Sequence, residues 1–478
     1  MAYKWIVLVN TTTGILMAAM DSSIVTIALP EITRKLDATV VETMWVVMGY
    51  QLVITAMLLP FARLADMKGR VGAYNVGFAL FTLASVLCGF AQTGTQLVFF
   101  RLLQGVGAAL LFSNGTALVT DAFPSEQRGF ALGINQMVGI SGFILGTVLG
   151  GVVTEFFGWR FIFFLNIPFG VFGTVWAFLR LHNVTEPERT ASFDVAGMLL
   201  FPAGIGSILA GLTFVVQGKA GQPETAALLV AGVALLAVFL VVERRVPQPM
   251  MDLALFRVRL FWACNASLLL NALARGSTTF ILSWYFQAVL GDPPVTAGLK
   301  LVPMVATMVL FAPIAGRLSD RFGSRWLASA GLACTLVAQL WLSTFPLGVP
   351  YPTLGVALAL LGTGNGLFNS PNTSALMGSV PPQRRGVAAG TRTLLNNTGQ
   401  TAAIAAAMVV LSSVMSYQVL TGLFAGTGGI SAFDGELFMQ GFHTVFVLSA
   451  AISVVAIVCS SLRGTEAAAT PAPALTRP

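Results

Sequence analysis

Long apolar runs follow one another along almost the whole chain, each closed by a charge, a proline or a glycine. A helix needs about 20 apolar residues to cross the hydrocarbon layer of a membrane. Fourteen stretches are of about that length or longer: roughly 5–29, 44–62, 73–91, 97–120, 130–154, 161–180, 195–216, 225–242, 260–289, 297–316, 327–345, 352–378, 387–416 and 441–462. They are continuous, without the alternation of barrel strands, so spanning helices are expected. Of 478 residues, 56% are hydrophobic and 9% charged, and the mean hydropathy is +0.83. So few polar residues cannot coat a water-facing surface. A soluble enzyme and a disordered chain are thereby excluded, and an all-α polytopic membrane protein is expected.

Lys4 precedes the first run in the manner of a secretory signal, but the run is too long for one and Asp21 interrupts the would-be cleavage region. It is read as a retained helix. With the N-terminus inside, most of the 26 Lys+Arg fall on the cytoplasmic side, among them Arg63, Lys68, Arg70, Arg317, Arg384, Arg385 and Arg392. Only Arg34, Lys35, Arg160, Lys219 and Lys300 fall outside, and Arg101 and Arg275 remain within spans. This asymmetry places both termini in the cytoplasm and accounts for the net charge of +7 without a nucleic-acid partner. The chain's cysteines (Cys88, Cys264, Cys334, Cys459) and histidines (His182, His443) are too scattered for a metal site or a disulfide framework. No G-x-x-x-x-G-K-[ST] phosphate loop is present, which excludes direct use of ATP. No metal and no cofactor is expected, and no enzyme.

An internal repeat sets the architecture. Residues 60–70 read PFARLADMKGR and residues 313–325 read PIAGRLSDRFGSR, with Asp66 and Asp320 standing 254 residues apart. PSEQRG at 124–129 matches PPQRRG at 381–386, and Gly105 and Gly107 match Gly362 and Gly364, both at a spacing of 257. Six helices come first, six come last, and two lie between them. The expected divisions are a six-helix bundle over 1–182, a linker with two additional helices over 183–258, a second bundle over 259–463 and a disordered tail over 464–478. Repeats of this kind let secondary transporters rock two halves about a site near the membrane midplane.

The stretch Ala62–Arg70, with Asp66, Gly69 and Arg70, resembles the signature loop of the major facilitator superfamily between helices 2 and 3. Ala62 and Met67 depart from the usual Gly and Arg, while the second copy keeps Gly316, Asp320, Arg321 and Gly323. LVFFRLLQGVGAA at 97–109 resembles the family's helix-4 motif through Arg101, Gln104, Gly105 and Gly107. Gly142, Gly146, Gly150 and Gly151 resemble its helix-5 antiporter motif, with Thr147 where proline is usual. MDSSIVTIALP at 20–30 and GWRFIFFLNIPFG at 158–170 resemble the fourteen-helix drug:proton antiporter branch. The resemblance implies the major facilitator fold, gating by the two loops, and antiport of small amphiphilic compounds driven by the proton motive force. The missing proline weakens antiport and leaves transport intact, and the same glycines also suit plain helix packing.

Most acids map to loops and helix ends, but Asp21 lies about nine residues, or roughly 13 Å, from the outer end of its span. Desolvation favours a neutral carboxyl and a facing cation favours the ionised one, so Asp21 is the candidate proton-coupling group, with a fixed structural salt bridge as the plainer reading. Arg101 is its competing partner, or else snorkels to the surface. Arg275 stands 254 residues after Asp21 and is expected either to pair with it in one conformation or to bind an anionic substrate. Asn114, Gln136, Asn271, Trp284, Tyr285, Gln287, Asn365 and Asn369 are candidate substrate-binding residues, because aromatic and amide surfaces suit adaptable binding; helix–helix contact explains each one equally well.

The leading expectation is proton-coupled efflux of amphiphilic drugs or toxic compounds by a monomer in the cell membrane, with lipids around it. The alternative is transport of a specific lipid, metabolite or organic anion, by proton coupling or as a uniporter. A non-transporting receptor or scaffold is disfavoured by the doubled gating loops.

Overall fold

Each of the fourteen apolar stretches falls on helix in the computed structural model, with ends shifted by a few residues. The structure describes residues 2–182, 194–246, 251–381, 385–425 and 432–463. The side chains of Gln136, Asp320 and Arg321, residues 183–193 and 247–250 of the expected 183–258 linker, and the expected tail from 464 lie outside what is described. The helices are α1 (Tyr3–Leu36), α2 (Val40–Lys68), α3 (Arg70–Phe90), α4 (Gly94–Ala122), α5 (Ser125–Phe157), α6 (Arg160–Phe164), α7 (Asn166–Arg180), α8 (Val195–Val216) and α9 (Pro223–Arg245). They continue with α10 (Arg259–Arg275), α11 (Thr278–Trp284), α12 (Pro294–Lys300), α13 (Val302–Phe322), α14 (Ser324–Leu342), α15 (Tyr351–Gly378), α16 (Arg385–Val414), α17 (Tyr417–Ala425) and α18 (Ala432–Ser461). Among the described residues there is no strand, and 11 helices are long and apolar enough to cross a membrane.

Three expected spans are interrupted. The stretch 161–180 divides at Leu165 into α6 and α7, 260–289 divides at Gly276–Ser277 into α10 and α11, followed by a π turn over Tyr285–Val289, and 297–316 divides at Leu301 into α12 and α13. The continuous apolar pattern conceals these breaks, because hydropathy reports immersion and not the hydrogen-bond register.

Local chemistry fixes several helix ends. Thr39 caps α2 by accepting from the Glu42 backbone N–H at 3.2 Å, and the Glu42 carboxylate accepts from the Thr39 N–H at 2.9 Å. Gly69 (φ 108°) joins α2 to α3, and Gly323 (φ 82°) joins α13 to α14. Both occupy the region open chiefly to glycine, 254 residues apart, so the doubled loop motif is also a doubled backbone conformation.

The chain forms two compact units: Met1–Gln248 with Thr278–Val302 and Ile404–Phe438, and Pro249–Ser277 with Pro303–Ala403 and Met439–Pro478. In the first unit, Gly142 and Gly150 of α5 lie against α1 so closely that an added Cβ would fall 2.8 Å from the Leu16 carbonyl oxygen and 3.0 Å from that of Ile24. Gly146 lies between them against Met20 and Ser23. Gly151 faces α12, where an added Cβ would fall 2.7 Å from the Val295 Cα. This close packing joins 278–302 to the first unit. The aromatic core beneath is built from Tyr50, Tyr74, Phe78, Phe81 and Phe123.

In the second unit, Gly331 of α14 meets the Gly364 carbonyl of α15, as Gly77 of α3 meets Gly107 of α4 in the first. The two pairs stand 254 and 257 residues apart, so the repeat extends to backbone packing. Outward faces carry large apolar side chains such as Phe178, 78% exposed, as a lipid-facing surface requires.

Candidate functional site

Asp21 lies midway along α1 and is fully buried at 0% exposure, with Arg101 of α4 buried beside it at 1%. The Arg101 Nη1 donates to Asp21 Oδ2 at 2.6 Å and also to Gln104 Oε1 at 2.6 Å. The other carboxylate oxygen, Oδ1, accepts from Gln104 Nε2 at 2.9 Å and from Asn166 Nδ2 at 2.7 Å. Arg101 and Gln104 are three residues apart and share one helix face, so α4 presents a cation and an amide together. Asn166 is the first residue of α7, and the break at Leu165 places its side chain in this cluster.

A further ring of contacts holds these groups. Gln104 Nε2 donates to Ser85 Oγ of α3 at 2.8 Å, and the Ser85 hydroxyl donates to the Phe81 carbonyl at 2.8 Å. Arg101 Nε donates to the Val46 carbonyl of α2 at 3.2 Å, and its guanidinium lies over the Tyr50 ring with 4.0 Å to the centroid. That stacking supplies cation–π attraction where water is absent. The Tyr50 hydroxyl and Asn166 Oδ1 are buried without a hydrogen-bond partner among the described residues. The cluster therefore neutralises and satisfies the carboxylate while leaving one hydroxyl and one carbonyl oxygen unpaired beside it.

The glycine stripe of α5 bears on this site through α1. Its contacts fall on Leu16, Met20 and Ile24, the turns that flank Asp21, so backbone-to-backbone packing fixes the height and rotation of the acid. Thr147, which stands where the antiporter motif has proline, is buried and donates its hydroxyl to the Phe143 carbonyl at 2.9 Å.

In the first copy of the gating motif, Arg70 bridges two acids. Its Nε donates to Asp66 Oδ1 at 2.8 Å and its Nη1 to Asp121 Oδ2 at 2.6 Å, tying the ends of α2 and α4 to the start of α3. In the second copy the Gly323 backbone is described, and the side chains of Asp320 and Arg321 are not.

The other candidates divide. Gln287 donates to the Ile27 carbonyl of α1 at 2.8 Å, a helix-to-helix contact within the first unit. Asn114, Asn365 and Asn369 donate to their own helices, at the carbonyls of Leu110, Leu361 and Asn365. Trp284 and Tyr285 are buried in the first unit. Asn271 is buried in α10 with neither amide atom paired among the described residues. Arg275, four residues on, donates to Asn396 Oδ1 of α16 at 3.4 Å. The side chain of Gln136 is outside the described residues.

Comparison with known proteins adds the following. The family model described as Major Facilitator Superfamily matches residues 11–403 and, in a second match, 264–477. The chain is 33% identical to the riboflavin transporter RibZ of Clostridioides difficile, over 81% of this chain and 83% of that protein. It is 33% identical to the multidrug resistance protein Stp of Mycobacterium tuberculosis, over 86% and 76%. It is also 33% identical to the methylenomycin A resistance protein of Streptomyces coelicolor, over 88% and 90%. Among solved structures, a bacterial homolog of the human lysosomal transporter Spinster, inward-facing and occupied, matches with a TM-score of 0.67 at 16% identity, over 96% of this chain and 97% of that one.

Proposed function

Since the chain belongs to the major facilitator superfamily, we propose that it exports small amphiphilic compounds across the cell membrane in exchange for protons, by alternating access. In this reading it spans the membrane fourteen times with both termini in the cytoplasm, as a monomer, and needs no cofactor. The observation that carries the reading is the Asp21–Arg101 pair, closed off from water and held by Gln104 and Asn166.

An ion pair at this depth has two stable settings. Closed, the guanidinium balances the carboxylate. Once the pair opens, the acid loses its cation in a poorly solvated site, and protonation is then favoured. The proton arriving at Asp21 frees Arg101, and its departure restores the pair. Tyr50 and Asn166 supply the unpaired polar atoms through which a water molecule can reach the carboxylate. At the cytoplasmic end, Arg70 with Asp66 and Asp121 forms a charge clasp that one access state keeps and the other gives up.

The driving force suffices. The potential supplies about 2.3 kcal/mol per charge per 100 mV and each pH unit about 1.4 kcal/mol, so one proton supports a ten- to hundred-fold gradient. The names of the Mycobacterium and Streptomyces relatives, resistance proteins both, support efflux of toxic compounds. The relative named as a riboflavin transporter favours a second reading, transport of one specific metabolite.

Reconstituted protein under an imposed pH gradient tests the proposal. Movement of a cationic dye or an anionic amphiphile is expected to follow the gradient and to fall at least tenfold in Asp21→Asn. Undiminished gradient-driven movement in that variant would overturn it.

A further inference from the structure

We propose that the second unit contains an oxyanion-binding site built by α10 and α16, which receives the carboxylate or phosphate group of an anionic amphiphile. This rests on the transport reading and names a substrate class for it.

The two helices meet along a tight seam. A Cβ on Gly399 would fall 2.7 Å from the Ala272 Cβ, and one on Gly276 would fall 2.7 Å from the Gln400 Cα. Beside that seam each helix carries an amide and a guanidinium one turn apart: Asn271 and Arg275 on α10, Arg392 and Asn396 on α16. Such spacing puts each pair on one face. Arg275 donates to Asn396 at 3.4 Å, which brings the α10 guanidinium to the face of α16 that also carries Arg392.

Among the described residues no ion pair forms to Arg275 or Arg392; the acidic residues of this unit are Asp252, Asp320 and Glu466. The Nε atoms of both arginines are buried and unpaired among the described residues, as are both amide atoms of Asn271, a side chain only 1% exposed. Buried donors without acceptors are rare in folded proteins. A forked guanidinium answers the geometry of a carboxylate or phosphate, whose oxygens can accept from the Nε donors and from Asn271 Nδ2.

The test is binding to the purified full-length protein in an uncharged detergent, without any gradient. The probes are decanoate, decyl phosphate and decyltrimethylammonium, which share a tail and differ in the head group. In wild type both anions are expected to bind at least tenfold more tightly than the cation. Arg275→Gln and Arg392→Gln should each weaken anion binding about tenfold or more, the size of one lost charged hydrogen bond, and leave cation binding unchanged. Arg392→Lys should recover part of the loss, which mere misfolding would not allow. Nanodiscs of phosphatidylglycerol set against phosphatidylcholine distinguish a lipid source from a soluble one: competition with decanoate by the anionic lipid alone assigns the site to lipid, and its absence to soluble anions. Anion affinity unchanged in Arg275→Gln and Arg392→Gln, or no preference for the anions in wild type, overturns the site. The outcome is separable from the transport proposal, because Asp21→Asn should still bind decanoate normally.

Discussion

The two units treat buried charge in opposite ways. In the first, Asp21 faces Arg101, and three donors satisfy the carboxylate completely. In the second, Arg275 donates to Asn396, and among the described residues neither Arg275 nor Arg392 forms an ion pair. The repeat makes the contrast sharper, since Arg275 stands 254 residues after Asp21. At the 257 spacing of the α4 motif, Arg101 and Gln104 correspond to Leu358 and Leu361 of α15, both buried and apolar. At these buried positions the backbone frame is duplicated and the polar chemistry is not. A charge with a dedicated partner suits a two-setting coupling device, whereas a charge without one suits a ligand that brings the countercharge.

Matched substitutions in the two units can break or sharpen that contrast. The largest effect is expected from Arg101→Leu, which abandons a buried carboxylate and should destabilise the protein by about 3–5 kcal/mol. Arg275→Leu leaves no acid behind and should be neutral or stabilising; equal losses in thermal unfolding would break the comparison. Next comes Asn166→Leu, which removes a charge-assisted donor to Asp21 and should cost about 1–3 kcal/mol. Asn396→Leu loses only a longer contact and should cost less, as the same unfolding measurement will tell.

The doubled turn should respond symmetrically. Gly69→Ala and Gly323→Ala each force a side chain into the left-handed region, at about 1–2 kcal/mol. A marked difference between the two would mean that the repeat is not equivalent at the gate. The smallest stability change is expected for Arg70→Gln, whose bridges are partly solvated and worth about 1 kcal/mol or less. Its transport rate should fall nonetheless, because the clasp distinguishes access states more than it holds the fold.

Much of the frame was legible in the sequence. The apolar runs each fell on helix, although α17 (Tyr417–Ala425) lies outside all of them, and the loop repeat marked the positions of Gly69 and Gly323. Arg101 was legible as a charge within a span, and Gln104 as its motif neighbour. Asn166 was not, because a single amide in the run 161–180 gives no periodic signal, and only the break at Leu165 delivers it to Asp21. Ser85 and Tyr50 were hidden for the same reason, and Asp121 read as an ordinary acid at a helix end. The charge pattern alone groups Arg392 with the cytoplasmic charges. The helix begins at Arg385, which carries Arg392 two turns inward to Arg275. Spacing alone would have exposed the amide–guanidinium pairs on α10 and α16, once the start of α16 was known.

Proton release on substrate binding tests the role of Asp21 most directly. Purified protein in a weakly buffered indicator solution should release protons when a transported amphiphile is added, and Asp21→Asn should release none while still binding it. Equal release from both proteins would contradict the claim that this carboxylate carries the exchanged proton.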